Sequence, residues 1–176
     1  NELKKINANS KISYSVSKEN YFKMIDGIPE DAEYVVFHFV QYNSKKLSNK
    51  YKDLKNNDGQ LYIIYSYNNK HGEVLNDKYY AFLDTPNIIS FSKTEYNTMV
   101  KDYIYNIKSK IDKYTKDPSG NTMYIKVLKS ELVALKIKAL QYDELKEFRF
   151  ALAEFQSKQI FNKYKNNNRI NDKISK

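Results

Sequence analysis

Hydrophobic residues form short runs in the first half of the chain and recur every three or four positions in the second half. The densest run is 33–42, Glu-Tyr-Val-Val-Phe-His-Phe-Val-Gln-Tyr, in which β-branched and aromatic residues predominate. Residues of these types favour strands, because their side chains pack well on a pleated surface. The pattern therefore predicts a strand, which we interpret as the central strand of the only sheet in the protein.

A shorter strand and a helix are predicted before this run. Residues 12–16 alternate strictly between apolar and polar side chains, as in a half-buried strand. Ser17 follows at the position of a helix N-cap, and Gly27 and Pro29 end the apolar pattern of the helix. The order strand, helix, strand predicts either a βαβ crossover or a helix that lies on one face of the sheet.

The next part of the chain predicts a hairpin and one further strand. The polar segment 43–59 is expected to form a short surface helix or an ordered loop. Residues 61–67 and 79–83 are apolar runs joined by a long polar connection, which is the pattern of an antiparallel hairpin. A last apolar run at 88–91 predicts an edge strand.

Helical spacing begins at Ser92, where the sequence Ser-Lys-Thr-Glu has the spacing of a capping box. One apolar stripe extends over 92–114 and a second over 125–142, and the second restarts out of phase at 145–155. These patterns predict a long helical C-terminal region. The phase break predicts either a kink near Asp143 or two helices in sequence.

Together these elements indicate one fold class. A chain of 176 residues can bury a core without disulfides or metal ions. We predict a single α+β domain over 1–155, with an antiparallel or mixed sheet of about four or five strands mainly in 11–91 and helices in 92–155 packed mainly on one side. Residues 156–176 are expected to form a basic, frayed C-terminal tail.

The net charge of +9 suggests an anionic partner, but only two of the 30 basic residues are arginine. Abundant Lys, Asn, Ile and Tyr are typical of an AT-rich genome, and the scarcity of arginine argues against base-specific recognition. Six basic residues and one acidic residue after position 155 give this tail a net charge of +5. Sequence-nonspecific nucleic-acid binding is therefore the alternative function, with exposed Tyr rings stacking on bases. The tail residues expected to contact phosphates are Lys158, Lys163, Lys165, Arg169 and Lys173.

Catalytic and metal-binding patterns are scarce. The chain has no cysteine and four scattered glycines, so it has neither a thiolate nucleophile nor a glycine-rich phosphate loop. We interpret His38 as a structural histidine inside a strand and His71 as part of a solvated loop. The densest acidic group flanks a turn and is expected to be solvated: Asp26, Glu30, Asp31 and Glu33. We predict no enzyme, metal or cofactor; a composite active site formed on folding is the remaining alternative.

The second half of the helical region offers a surface for a partner. Its apolar stripe either packs on the sheet and on the 92–116 helix, or is exposed after Asp143 and binds a protein partner or a second copy. We therefore predict a non-catalytic interaction or assembly module. Its predicted partner-binding residues are Phe148, Leu152 and Phe155.

The ends and the hydropathy of the chain add two expectations. No apolar run approaches the length of about 20 residues that a membrane-spanning helix needs. The first residue is Asn1 rather than methionine. We expect that upstream residues were removed, by cleavage of a signal or anchor or by truncation.

Overall fold

The computed structural model describes residues 13–47, 51, 54, 57–82, 89–114 and 123–151. In chain order, the elements in these ranges are β1 (Ser13–Ser17), α1 (Lys18–Asp26), β2 (Tyr34–Gln41), β3 (Leu61–Asn68), β4 (Lys78–Ala81), β5 (Ser90–Ser92), α2 (Lys93–Tyr103), a π-helical turn (Ile104–Lys108), α3 (Ser109–Tyr114), β6 (Tyr124–Leu128), α4 (Lys129–Ala139) and β7 (Glu147–Ala151). The tail at 156–176 lies outside these ranges.

Five strands form an antiparallel sheet in the order β5-β4-β3-β2-β6. The predicted α+β class and the antiparallel sheet are confirmed. The prediction that 33–42 is the central strand is wrong, because β3 occupies the middle and β2 lies next to the edge strand β6. The prediction of a single sheet is also wrong, since β1 and β7 pair with each other in a second, two-stranded sheet.

The long helical C-terminal region is not supported. Residues 124–128 and 147–151 are strands, and α4 is the one helix in the described range 123–151. In β6, the β-branched residues Ile125 and Val127 alternate with Lys126 in a short period-two pattern, whereas the longer series of apolar positions over 125–142 fits helical spacing. Pairing with β2 decides the outcome, because a strand there satisfies backbone groups of β2 that would otherwise be unpaired.

Both faces of the larger sheet are covered. Tyr67 lies opposite Val35 on one face, and its hydroxyl donates a 2.7 Å hydrogen bond to the carbonyl of Met24 in α1. On the other face, His38 contacts Tyr96 of α2. The prediction that helices pack mainly on one side is therefore wrong. Nearly every residue of β2 and β3 is buried, so that each face requires its own cover.

The two-stranded sheet of β1 and β7 lies beside α1, on the face of the larger sheet that carries Val35 and Tyr67. The ring of Phe150 in β7 lies 5.2 Å from that of Phe37, between ring centroids. Strand β1 thus belongs to this covering layer and not to the larger sheet, which excludes the βαβ crossover between β1 and β2.

Local predictions from capping and turn residues agree with the structure. The Ser17 hydroxyl accepts a hydrogen bond from the amide of Asn20 at the start of α1. Ser92 and Glu95 form the complete capping box at the start of α2. The hairpin of β3 and β4 is present, and β5 forms the predicted edge strand. In the segment 43–59, the described side chains of Leu47, Tyr51 and Leu54 are buried.

Candidate functional site

His38 is the strongest candidate that the sequence offers for catalysis, and the structure places it in a buried hydrogen-bond network. Its Nε2 lies 2.8 Å from the hydroxyl of Ser66, and its Nδ1 lies 3.1 Å from the hydroxyl of Tyr96. Ser66 donates to Oδ1 of Asn68 at 2.7 Å, and Asn68 donates to the carbonyl of Gly72 at 2.8 Å. The network thus connects β2, β3, α2 and the loop after β3.

The direction of these bonds fixes the proton positions. Because the Ser66 hydrogen points to Asn68, the Ser66 oxygen accepts from Nε2–H of His38. Nδ1 is then unprotonated and accepts from the Tyr96 hydroxyl. Burial lowers the pKa of His38 from 6.5 to about 4 and raises the pKa of Tyr96 to about 12. Both groups are therefore neutral near pH 7.

This arrangement leaves little capacity for acid–base chemistry. Both ring nitrogens of His38 have partners, and Ser66 is 0% exposed, so a substrate has no direct path to its hydroxyl. The geometry agrees with the interpretation of His38 as a structural histidine. The ring of Tyr96 also stacks on Tyr79 at a centroid distance of 3.8 Å, which ties α2 to β4.

The other polar candidates lie on the surface. His71 is exposed in the loop between β3 and β4, where its amide donates to the side chain of Asn69. Asp26 forms an ion pair with Lys136 of α4. The described part of the chain contains no cluster of three or more side chains arranged to hold a metal ion.

The structure describes one of the three predicted partner-binding residues. Phe148 lies in β7, and its half-buried ring stacks on that of Tyr21 at a centroid distance of 3.9 Å. Leu152 and Phe155 lie outside the described residues, so the site stays a prediction. The same holds for the predicted nucleic-acid contacts of the tail: Lys158, Lys163, Lys165, Arg169 and Lys173.

A different segment carries the exposed apolar surface. Eight large hydrophobic side chains are exposed among the described residues, and six of them lie between positions 124 and 142. We call these six the 124–142 surface: Tyr124, Leu128, Leu135, Ile137, Leu140 and Tyr142. The other two, Ile104 and Tyr105, lie on the π-helical turn.

Other residues of helix α4 attach it to the rest of the protein. Leu132 and Ala139 are buried, and the carbonyl of Leu132 accepts from the hydroxyl of Tyr21 at 3.5 Å. Sequence analysis placed Leu128, Leu135 and Tyr142 in the same apolar stripe as these two residues. Only the position of α1 against α4 shows which members of the stripe are covered.

Strand β6 forms one edge of the larger sheet, and the hydrogen-bond register shows which of its backbone groups face outward. The amide of Phe39 donates to Met123 at 3.0 Å, and that of Lys129 donates to Glu33 at 2.9 Å. In an antiparallel pair, hydrogen-bonded positions alternate with non-bonded ones. The odd-numbered residues of β6 therefore bond to β2. The amides of Tyr124, Lys126 and Leu128 point to the open side, as do the carbonyls of Tyr124 and Lys126.

Within the described ranges, no strand pairs with β6 on that side. The side chains of its three even-numbered residues share the face of the sheet that carries His38, whose ring centroid lies 6.4 Å from that of Tyr124. Lys126 places its ammonium 3.5 Å from the ring centroid of Tyr34. The edge thus presents a lysine between two exposed apolar side chains.

In the described part of the chain, the α+β fold has an unpaired sheet edge at β6, and the helix that follows this strand carries exposed apolar side chains. A scan against protein-family models and searches of curated proteins and of solved structures found no match to this chain. None of the helices in the described ranges is long and apolar enough to cross a bilayer.

Proposed function

We propose that this protein is a non-catalytic interaction module that binds a partner protein through the 124–142 surface. One observation carries the proposal: six of the eight exposed large hydrophobic side chains in the described ranges lie within this one stretch. Single exposed hydrophobic residues are normal on a protein surface, whereas contiguous apolar patches mark interaction sites, and we infer that residues of this stretch form such a patch.

The way in which α4 is held supports this role. Its buried side packs on α1, and Lys136 pairs with Asp26, so the helix keeps a fixed orientation. A helix whose backbone is already positioned loses less conformational entropy on binding than a mobile segment. Leu135 and Leu140 are therefore suited to serve as anchors for a partner.

The proposal is tested by capturing binding partners with the full chain and with two double variants. Leu135→Ser with Leu140→Ser removes two anchors from the 124–142 surface. Ile104→Ser with Tyr105→Ser removes the same kind of exposed apolar area elsewhere and is the matched control. Circular dichroism verifies that both variants fold.

We expect a partner that forms a stoichiometric complex with the wild type and with the control but not with the Leu135/Leu140 variant. A complex that the Leu135/Leu140 variant retains and the control loses would move the interface to the π-helical turn. A chain that stays monomeric and recovers no stoichiometric partner would overturn the proposal.

Sequence-nonspecific nucleic-acid binding is the second candidate, and one described residue favours it. The ring of Tyr105 is 82% exposed on the π-helical turn. Exposed Lys101 precedes it by four positions. An aromatic ring next to a lysine can stack on an unpaired base while the ammonium contacts the phosphate backbone.

A further inference from the structure

We propose that β6 binds an extended segment of the partner as a sixth, antiparallel strand of the larger sheet, with an acidic residue of that segment opposite Lys126. This inference rests on the proposed function and specifies the kind of partner. Three features of β6 support it: the backbone register, the side chains of Tyr124, Lys126 and Leu128, and the charge repulsion that arises when two copies of β6 pair.

The backbone of β6 is ready to extend the sheet. Tyr124 and Lys126 each direct an amide and a carbonyl to the open side, and Leu128 directs its amide there, as the register with β2 requires. The carbonyl of Leu128, the N-cap residue of α4, accepts the first hydrogen bond of that helix. The strand contains neither proline nor glycine, and its five residues pair regularly with β2. Natural edge strands usually carry prolines, bulges or charges that prevent such pairing, and here Lys126 is the one such device.

Lys126 disfavours a second copy of the chain as the added strand. Antiparallel pairing of two β6 strands with full overlap places Tyr124 opposite Leu128 and Lys126 opposite its own counterpart. Like charges at directly opposite positions destabilise a strand pair. Shifting the register by two residues separates the ammonium groups but leaves part of the edge unpaired.

A partner segment avoids this conflict if it carries an acidic residue at the central position. Residues two positions before and after the acidic one then lie opposite Leu128 and Tyr124, which are 37% and 46% exposed. Apolar side chains fit these two positions. The Lys126 ammonium lies over the Tyr34 ring on this face of the sheet, and on binding it would turn from that ring to the carboxylate of the added strand.

The test uses a short capped peptide that contains the sequence Val-Thr-Glu-Thr-Val. Amide hydrogen exchange of the full chain is measured by NMR with and without the peptide at about 1 mM, a concentration suited to weak binding. In the free protein, the amides of Tyr124, Lys126 and Leu128 should exchange rapidly, and those of Ile125 and Val127 slowly. The peptide should slow the three rapid amides.

Two chemical controls identify strand addition. N-methylation of the glutamate removes a donor that faces β6 and should abolish the effect. N-methylation of an adjacent threonine, whose amide faces away, should leave the effect intact. In addition, Lys126→Glu should weaken binding of the glutamate peptide and strengthen that of a lysine peptide, each by about two- to fivefold.

Each other outcome overturns the proposal. Slow exchange of the amides of Tyr124, Lys126 and Leu128 in the free protein would show that β6 is already covered. If the exchange rates depend on protein concentration, a second copy covers the strand; if they do not, another part of the same chain covers it. No slowing by the peptide, or equal sensitivity to both N-methylations, excludes strand addition. If partner capture still depends on Leu135 and Leu140, the proposed function stands and the inference about β6 fails alone.

Discussion

The hydroxyl of Tyr96 lies 3.1 Å from Nδ1 of His38 and donates a hydrogen bond to it across the interface between α2 and β2. The contact completes the hydrogen bonding of the histidine, whose other ring nitrogen donates to Ser66. A buried polar side chain is tolerated in a core when its hydrogen bonds are satisfied. The pair thus explains how the apolar strand β2 accommodates a histidine.

The stability of the fold should fall as the pH decreases from about 6.5 to about 4. The pKa of His38 is about 4 in the folded protein, against 6.5 ordinarily, because burial disfavours the charged ring. The unfolded chain therefore binds more protons than the folded chain in this interval, and the difference amounts to about 3 kcal/mol in the free energy of unfolding. Urea denaturation at a series of pH values measures it.

The control for this pH dependence is His38→Gln, which removes the titrating group. Its free energy of unfolding should be lower than that of the wild type at pH 7 and should vary less between pH 6.5 and 5. An equally steep slope in the variant would assign the pH dependence to other groups.

Tyr96→Phe should lower the free energy of unfolding by about 1–2 kcal/mol, because Nδ1 of His38 loses its donor while the aromatic ring remains. Thermal or urea denaturation measures the change. Tyr105→Phe is the matched control, since the Tyr105 side chain is largely exposed, and it should have no measurable effect. Equal stability of the Tyr96 variant and the wild type would mean that water replaces the missing hydroxyl.

Phe148→Ala should destabilise the domain by about 2 kcal/mol, because its half-buried ring packs on Tyr21 in the contact between β7 and α1. Tyr142→Ala, at an exposed position, is the control and should change stability little. If Phe148→Ala instead leaves stability unchanged and abolishes partner binding, the predicted site at Phe148, Leu152 and Phe155 is supported.

Ser92→Ala should lower stability by about 1 kcal/mol, because the capping box at the start of α2 loses its hydroxyl. Ser130→Ala provides a comparison at an exposed position within the first turn of α4. That substitution should be neutral or slightly stabilising, since alanine has the higher helix propensity. Chemical denaturation of both variants tests the difference.

Nucleic-acid binding by the basic tail can be tested with labelled single- and double-stranded oligonucleotides over a range of salt concentrations. If the tail binds phosphates, the affinity of the full chain should fall steeply with salt, and a chain ending at Gln156 should lose this binding. Binding that survives truncation but is lost in Tyr105→Ser would place the contact on the π-helical turn. Absence of binding by the full chain at low salt would exclude this alternative.

Patterns that depend on neighbouring residues were read correctly from the sequence. Ser17 and the pair Ser92 and Glu95 cap helices as expected, because capping involves residues at most three positions apart. Apolar runs also located β2 and β3, since both strands are buried along nearly their whole length.

The same reasoning failed for β6 and β7. Over five residues, alternation of apolar and charged side chains fits a strand, but the longer series of apolar positions also fits a helix. The choice depends on hydrogen bonds to β2 and β1, which lie far away in the chain. A single sequence does not specify such pairing partners.

The sequence by itself determined the α+β class, the starts of α1 and α2 and the absence of familiar catalytic motifs, since these depend on composition and local spacing. Only the tertiary structure decided that β6 lies at the sheet edge, and that Leu135 and Leu140 are exposed while Leu132 is buried. The physical reason is that exposure and strand order depend on which distant segments pack together. The candidate site, a sheet edge with its neighbouring helix, is therefore a property of the folded chain.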